Sequence, residues 1–264
     1  MSASYPEFHG RLAVVSGAAQ GIGAALARSL ADQGCRVAAL DLRADGLQQL
    51  ALHTPAHADG RIIPLPLDIR DGAAVEQAVA RIEDEIGAID MLANVAGVLR
   101  LGTVEQLSNE DWLQSFAVNT HGVFFLSRAV ARRMQARRQG GIVTVGSNAA
   151  EVPRTQMAAY AASKAATTQF SKCLGLELAE FGVRCNIVSP GSTDTAMQRQ
   201  LWSDDAIPPA ILQGSLEQYR TGIPLQRIAA PQDVANAALF LLSDQARHIT
   251  LHNLYVDGGA TLGI

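Results

Sequence analysis

Tyr160-Ala161-Ala162-Ser163-Lys164 sets a phenol and an amine at i and i+4. On a helix those positions share one face. A phenol at its ordinary pKa of ~10 is a poor base near neutrality, and an ammonium beside it favours the phenolate. A phenolate so held can take a hydroxyl proton while hydride leaves the same carbon. The spacing by itself also fits an amphipathic helix surface. Ser147 stands just beyond an apolar run at 141–145, where its hydroxyl can hydrogen-bond a substrate oxygen. Asn119 lies in a helical stretch, where it either interrupts the ladder to hold a water toward Lys164 or is an ordinary exposed asparagine.

A second constellation binds rather than reacts. Ser16-Gly17-Ala18-Ala19-Gln20-Gly21-Ile22-Gly23 joins an apolar run to a helical one. Glycines there let the backbone turn tightly and approach a pyrophosphate, and the helix N-terminus supplies free N–H groups and a positive dipole end. A structural turn has the same letters, so the loop alone is weak evidence. An acid, Asp41, ends the next apolar run, with Leu42 beside it. Asp41 can accept from both hydroxyls of an adenosine ribose and would repel a 2′-phosphate, which favours NAD over NADP. Arg43 opposes that preference, and Asp41 as a turn residue is the competing reading. Asp68, after the third run, either accepts from the adenine amine or caps the following helix.

These groups need a frame that brings them to one edge. Apolar runs at 11–16, 36–40, 62–67, 89–93, 141–145 and 183–188 alternate with helical periodicity, beginning at 21–33. Buried, non-alternating strands between helices read as a parallel sheet covered on both faces, a Rossmann-type doubly wound α/β fold. Residues 108–138 read as one long helix opened by Ser108 and Asp111, a capping-box-like start. Its terminal Arg132, Arg133, Arg137 and Arg138 offset the helix dipole and meet solvent. No repeat or linker divides 1–264, so one domain is expected. Residues 192–224, rich in Pro and polar residues around Trp202, lie beyond the sixth strand at the ligand edge and suit a lid.

With 264 residues, 48% of them hydrophobic, the chain has ample material for a core. A net charge of −4 gives no support for nucleic-acid binding, and no apolar run is long enough for a membrane span. Cys35, Cys173 and Cys185 are too scattered for a disulfide framework, and buried reduced thiols in a cytoplasmic protein are expected. His53 and His57 flank Pro55 and lack a third ligand, so no metal site is expected.

The glycine loop, Asn94-Val95-Ala96-Gly97, Asn119, Ser147, Tyr160-x-x-x-Lys164 and Pro190-Gly191 together resemble the short-chain dehydrogenase/reductase family from end to end. The resemblance implies that Ser147, Tyr160, Lys164 and Asn119 form the catalytic set, with Lys164 also holding the nicotinamide ribose. It implies that Asn94, Ala96, Gly97, Pro190 and Thr195 contact NAD, beside Gly17, Gln20, Gly21, Ile22 and Gly23. Ser16 replaces the family's usual threonine and keeps the hydroxyl. Further stretches, 94–100, 153–154, 191–198, 222–225 and 248–263, resemble members that oxidise a cyclohexadiene diol carboxylate with NAD. Arginine grips a carboxylate through paired hydrogen bonds, and Arg154 or Arg100 is expected to hold it, with Met157 and Met197 lining the pocket. The resemblance also implies a homotetramer. A 3-oxoacyl carrier-protein reductase or another alicyclic alcohol dehydrogenase is the rival within the family. A non-catalytic NAD-binding module is the rival outside it, and would not need Ser147, Tyr160 and Lys164 together.

Overall fold

The computed structural model describes residues 4–54, 60–202 and 206–263. The strands are β1 (Leu12–Ser16), β2 (Arg36–Asp41), β3 (Arg61–Pro66), β4 (Met91–Asn94), β5 (Gly140–Val145), β6 (Val183–Pro190), a short antiparallel hairpin of β7 (Gly214–Ser215) and β8 (Arg220–Thr221), and β9 (Asn253–Val256). Seven of them form one sheet in the order β3-β2-β1-β4-β5-β6-β9, every pairing parallel. The helices are α1 (Gly21–Asp32), α2 (Ala44–Leu52), α3 (Gly72–Glu85), α4 (Asn109–Phe116), α5 (Val123–Arg137), α6 (Ala158–Leu178), the short α7 (Ala196–Arg199) and α8 (Pro209–Gln213), and α9 (Pro231–Leu242).

All five residues of β1 are buried, because the sheet carries helices on both faces. Ala13 and Val15 pack with Leu26 and Leu30 of α1 and Val234 of α9. Leu12 and Val14 pack on the other side with Val75 and Val79 of α3 and Leu126 and Val130 of α5. Each such fully buried Leu or Val contributes roughly 1.5–3 kcal/mol.

The chain builds outward from β1 through β2 to β3, then returns to β4 and proceeds the other way. The reversal opens a crevice at the carboxyl ends of β1 and β4, where open α/β sheets take ligands. Register puts Ser16 beside Leu40 on one side and Asn94 on the other, and Asn94 beside Thr144. Ser16, Asp41, Asn94 and Ser147 therefore come out on one edge.

The expected helix over 108–138 is continuous but not regular. Ser108 caps it, accepting from the Asp111 N–H at 3.0 Å, and Ala117–Gly122 forms a π turn containing Asn119 between α4 and α5. Such turns arise where a side chain competes for ladder partners. The terminal arginines do more than meet solvent: Arg132 pairs with Glu76 and Arg137 with Glu83, tying α5 to α3. Cys35 and Cys185 are buried, and burial pushes both thiols up to about 12. Cys173 corrects the expectation of uniformly buried thiols; it is exposed on α6. His53 follows α2 and turns its Nδ1 to the Gln49 carbonyl, while Pro55 and His57 lie outside the described residues. No described helix is long and apolar enough to cross a membrane.

Candidate active site

The crevice is a cleft of about 300 Å³ lined by Gly17, Gln20, Gly21, Ile22 and Gly23 of the first turn, Asp41 and Leu42 after β2, Asp68 after β3, Ala96 and Gly97 after β4, and Thr195 and Met197. Gly17 has φ +68, and a Cβ there would stand 2.7 Å from the Ala96 backbone. Gly23 is also obligatory, because its Cβ would run into the Gly17 carbonyl oxygen. Ser16 Oγ accepts from the Val95 N–H at 3.1 Å and the Ala96 N–H at 3.3 Å, so the retained hydroxyl locks the two loops that wall the cleft. The Asp41 carboxylate accepts from the Ala19 N–H at 3.0 Å and the Arg43 N–H at 2.9 Å. A carboxylate has about four acceptor sites, so capacity remains for ribose hydroxyls. Arg43 leans toward Gln20, donating to Oε1 at 2.8 Å. A turn that presents N–H groups at a helix N-terminus, beside an acid, complements the acceptor oxygens of a pyrophosphate and the hydroxyls of a ribose.

Two expectations at this cleft need correction. Asp68 does not cap α3, because Asp71 does, accepting from the Ala73 and Ala74 N–H groups. Asp68 instead forms a forked pair with Arg70 at 2.6 Å, which holds its carboxyl below the usual range. Asn94 turns its amide into the fold, donating to Ser127 Oγ at 2.9 Å and Thr144 Oγ1 at 3.3 Å, so cleft contacts fall to Val95, Ala96 and Gly97. Pro190 ends β6, buried beside Val256 of β9.

The cleft runs into the proposed chemistry at Gly97. A Cβ on Gly97 would lie 3.5 Å from Lys164 Nζ and 3.3 Å from Asn119 Oδ1. α6 carries Tyr160 and Lys164 one turn apart, and Ser147 caps the short turn after β5 by accepting from the Ala149 N–H at 3.1 Å. The Ser147 hydroxyl hydrogen-bonds the Tyr160 side chain. Ser147, Tyr160 and Lys164 are thus brought together. Burial pushes the Tyr160 phenol up, opposed by the Ser147 hydrogen bond and then by the Arg154 charge. Burial pulls Lys164 down to about 8. Its Nζ donates to the Val145 carbonyl at 2.7 Å and stands 6.0 Å from the Tyr160 ring centre. The groups that favour phenolate are therefore Ser147 and Arg154, a departure from the lysine-led expectation.

Asn119 lies buried in the π turn that interrupts the helical ladder, as expected, and is not an exposed asparagine. Its Oδ1 accepts from the Val98 N–H at 2.8 Å, and its Nδ2 donates to the Val98 carbonyl and to Ser163 Oγ, both at 3.0 Å. The amide is committed to pinning the Gly97 loop against α6, so Asn119 is a positioning residue. Arg100 is corrected too, because its guanidinium pairs with Asp111 at 3.2 Å and donates to Gln114 Oε1. Arg154 is half-buried and donates to Asn148 Oδ1 at 2.9 Å, and its charge reaches Tyr160. Met197 lines the cleft; Met157 immediately precedes α6 and is bridged through its backbone to Gly102. Arg220, which nothing in the sequence pattern singled out, comes near Arg154 from the β7–β8 hairpin.

The family model described as Enoyl-(Acyl carrier protein) reductase matches residues 17–261. A solved structure titled as a short chain dehydrogenase/reductase family protein superposes with a TM-score of 0.81 at 32% identity, over 96% of this chain and 97% of that one. The chain belongs to the short-chain dehydrogenase/reductase family. It is 57% identical to the 2,3-dihydro-2,3-dihydroxybenzoate dehydrogenase of Bacillus subtilis, with 97% of both chains covered. A structure titled as a putative NAD(P) dependent gluconate 5-dehydrogenase from Beutenbergia cavernae, with bound NADP, matches this short-chain dehydrogenase/reductase with a TM-score of 0.86 at 32% identity, over 97% of this chain and 98% of that one. The protein is an NAD(P)-dependent oxidoreductase of this family.

Proposed function

We propose that the protein oxidises 2,3-dihydro-2,3-dihydroxybenzoate to 2,3-dihydroxybenzoate, using NAD, as a step in catechol siderophore biosynthesis. The observation that carries this reading is a cation, Arg154, held by Asn148 Oδ1 at 2.9 Å in the same loop between β5 and α6 that bears Ser147, with Tyr160 in the first turn of α6 beyond it. A diol carboxylate needs that combination: a base for one hydroxyl and a positive group for the acid. The 57% identity to a dehydrogenase named for this substrate supports the same choice.

Ser147 fixes the reacting hydroxyl by hydrogen bonding, and the Tyr160 oxygen takes its proton. Held in the cleft, NAD would supply the two-electron oxidant for the hydride that leaves the same carbon. The ketone left on the ring loses a ring proton and gains one on oxygen, becoming a catechol, and aromaticity makes the oxidation strongly downhill. Lys164, buried beside Gly97, is suited to hold the nicotinamide ribose, and Asn119 keeps that loop and α6 in register. Asp41 would accept from the adenosine ribose and favour NAD over NADP, and Asp68 with Arg70 would border the adenine end of the same cleft. The described parts of the 192–224 stretch, 192–202 and 206–224, would serve as the substrate lid, with 203–205 outside the described residues. Trp112, Leu113, Phe124 and Leu176 are apolar and exposed on α4, α5 and α6, which supports a homotetramer built on those helices. The cysteines Cys35, Cys173 and Cys185, none of them disulfide-bonded, support a cytoplasmic location.

The test is to mix purified protein with NAD and the dihydrodiol and follow NADH absorbance and catechol fluorescence together. Both should rise in equal amounts. Binding of NAD without turnover of the diol would contradict the proposal and leave a cofactor-binding module.

A further inference from the structure

Two arginines approach the substrate end of the site from different parts of the chain. Arg154 comes from the loop between β5 and α6. Arg220 opens β8, the return strand of the hairpin within 192–224. Each is held by one neutral neighbour: Arg154 Nη2 donates to Asn148 Oδ1 at 2.9 Å, and Arg220 Nη2 donates to Ser192 Oγ at 3.2 Å. The two anchors adjoin, since a Cβ on Gly191 would stand 3.4 Å from Asn148 Nδ2.

A guanidinium has five N–H donors, and these bonds use one on each side. Among the described residues neither arginine forms an ion pair with a carboxylate. Asp257 is the acid whose charge reaches Arg154, yet its oxygens already accept from Asn148 Nδ2 and from the Gly259 and Thr261 N–H groups. Burial pulls both arginines below their ordinary value, Arg220 to about 10, and for Arg220 the second cause is the charge of Arg154. Two half-buried like charges with spare donors repel one another until an anion stands between them. The hydroxyls of a neutral diol would leave that repulsion in place, whereas a carboxylate relieves it and accepts from both forks.

We propose that Arg220 is the second, hairpin-borne half of a two-arginine clamp on the substrate carboxylate, with Arg154 as the half fixed to the sheet edge. The inference rests on the carboxylate-bearing diol proposed above and assigns its recognition to a residue outside the family motifs. It also gives the hairpin at 214–221 a function: the carboxylate, remote from the reacting carbon, draws it over the site. Binding energy from a non-reacting group is thereby used to order the substrate.

The experiment compares wild type, Arg220→Met and Arg220→Lys on the diol carboxylate and on the matching cyclohexadiene diol without the carboxylate. In Arg220→Met, discrimination between the two, as the ratio of kcat/KM values, should fall about 10- to 100-fold, the effect expected for lost charge-assisted hydrogen bonds. The loss should appear in KM for the carboxylate diol, with NAD affinity unchanged, and Arg220→Lys should recover part of it. In the wild-type NADH complex, salicylate but not catechol should slow amide exchange at 214–221, a readout that needs no variant to fold. Unchanged discrimination in Arg220→Met, or equal exchange with the two ligands, overturns the clamp. Failure of wild type to oxidise the carboxylate diol overturns the reading beneath it, a result separable from failure of the clamp alone.

Discussion

Arg154→Met should weaken the enzyme and strengthen the fold. The guanidinium is half-buried, bonded to one neutral amide and facing a second cation. Its charged hydrogen bonds to a substrate carboxylate are each worth about 1.5–3 kcal/mol, so losing one raises KM for the dihydrodiol about 10- to 150-fold. NAD affinity should not change, because Arg154 does not line the cofactor cleft. The unliganded protein, relieved of an unpaired buried charge, should melt higher; a gain of about 1 kcal/mol corresponds to about 2–4 °C for a chain near this size. That penalty acts wherever the arginine is charged, so the gain should persist across neutral pH. A third effect has a fixed sign. Arg154 lowers the Tyr160 pKa, and oxidation needs the phenol deprotonated. Its removal therefore moves the rising limb of the pH–kcat/KM profile to higher pH. Steady-state kinetics over a pH series, with a melting curve, tests all three. Unchanged KM with a lower Tm would show Arg154 to be a structural residue and refute the reasoning.

Gly23→Ala should open the first turn, since the new methyl meets the backbone of Gly17. Overpacking of that kind costs about 1–3 kcal/mol, to be read as weaker NADH binding in a fluorescence titration. Asp41→Ser should reduce the preference for NAD over NADP by about 10- to 100-fold, through loss of a charged acceptor and of its repulsion toward a 2′-phosphate; competitive binding of the two cofactors measures it. Lys164 is disfavoured as a cation in the fold, at about 8, against ~10.4 when unfolded. Below pH 8 both states are protonated and the full penalty applies. Between those values the unfolded chain binds more protons, so this residue makes stability rise with pH. Urea midpoints should climb over that interval in wild type, and the climb should flatten in Lys164→Met.

Much of this was legible because the chemistry falls where the fold is most regular. Buried parallel strands are short apolar runs, and the residue at or just past the end of each run, Gly17, Asp41, Asn94 or Ser147, lands on the ligand edge by topology alone. Boundaries slipped where side chains replaced backbone partners. The strand expected over 89–93 begins at Met91, because the Ile89 N–H goes to Glu83 Oε1. Side-chain direction was not legible: Asn94 and Asn119 read as cofactor and water ligands, yet their amides hold the backbone together. The choice between Arg100 and Arg154 depended on Asp111, whose nearness to Arg100 requires the turn after β4 to fold back on α4. Arg220 escaped notice because its segment has no periodicity, and only the hairpin brings it to Arg154. β9 also went unmarked, its Asn253–Val256 run being short and only partly buried.

The central claim is that the Tyr160 oxygen accepts the hydroxyl proton as hydride leaves. Its most direct test is a rapid-mixing single turnover of preformed NAD complexes of wild type and Tyr160→Phe with the dihydrodiol. Hydride transfer should fall by at least about 100-fold in the variant, the usual weight of a general base, while NAD binds both proteins equally. Transfer at a near-normal rate in Tyr160→Phe would place the base elsewhere.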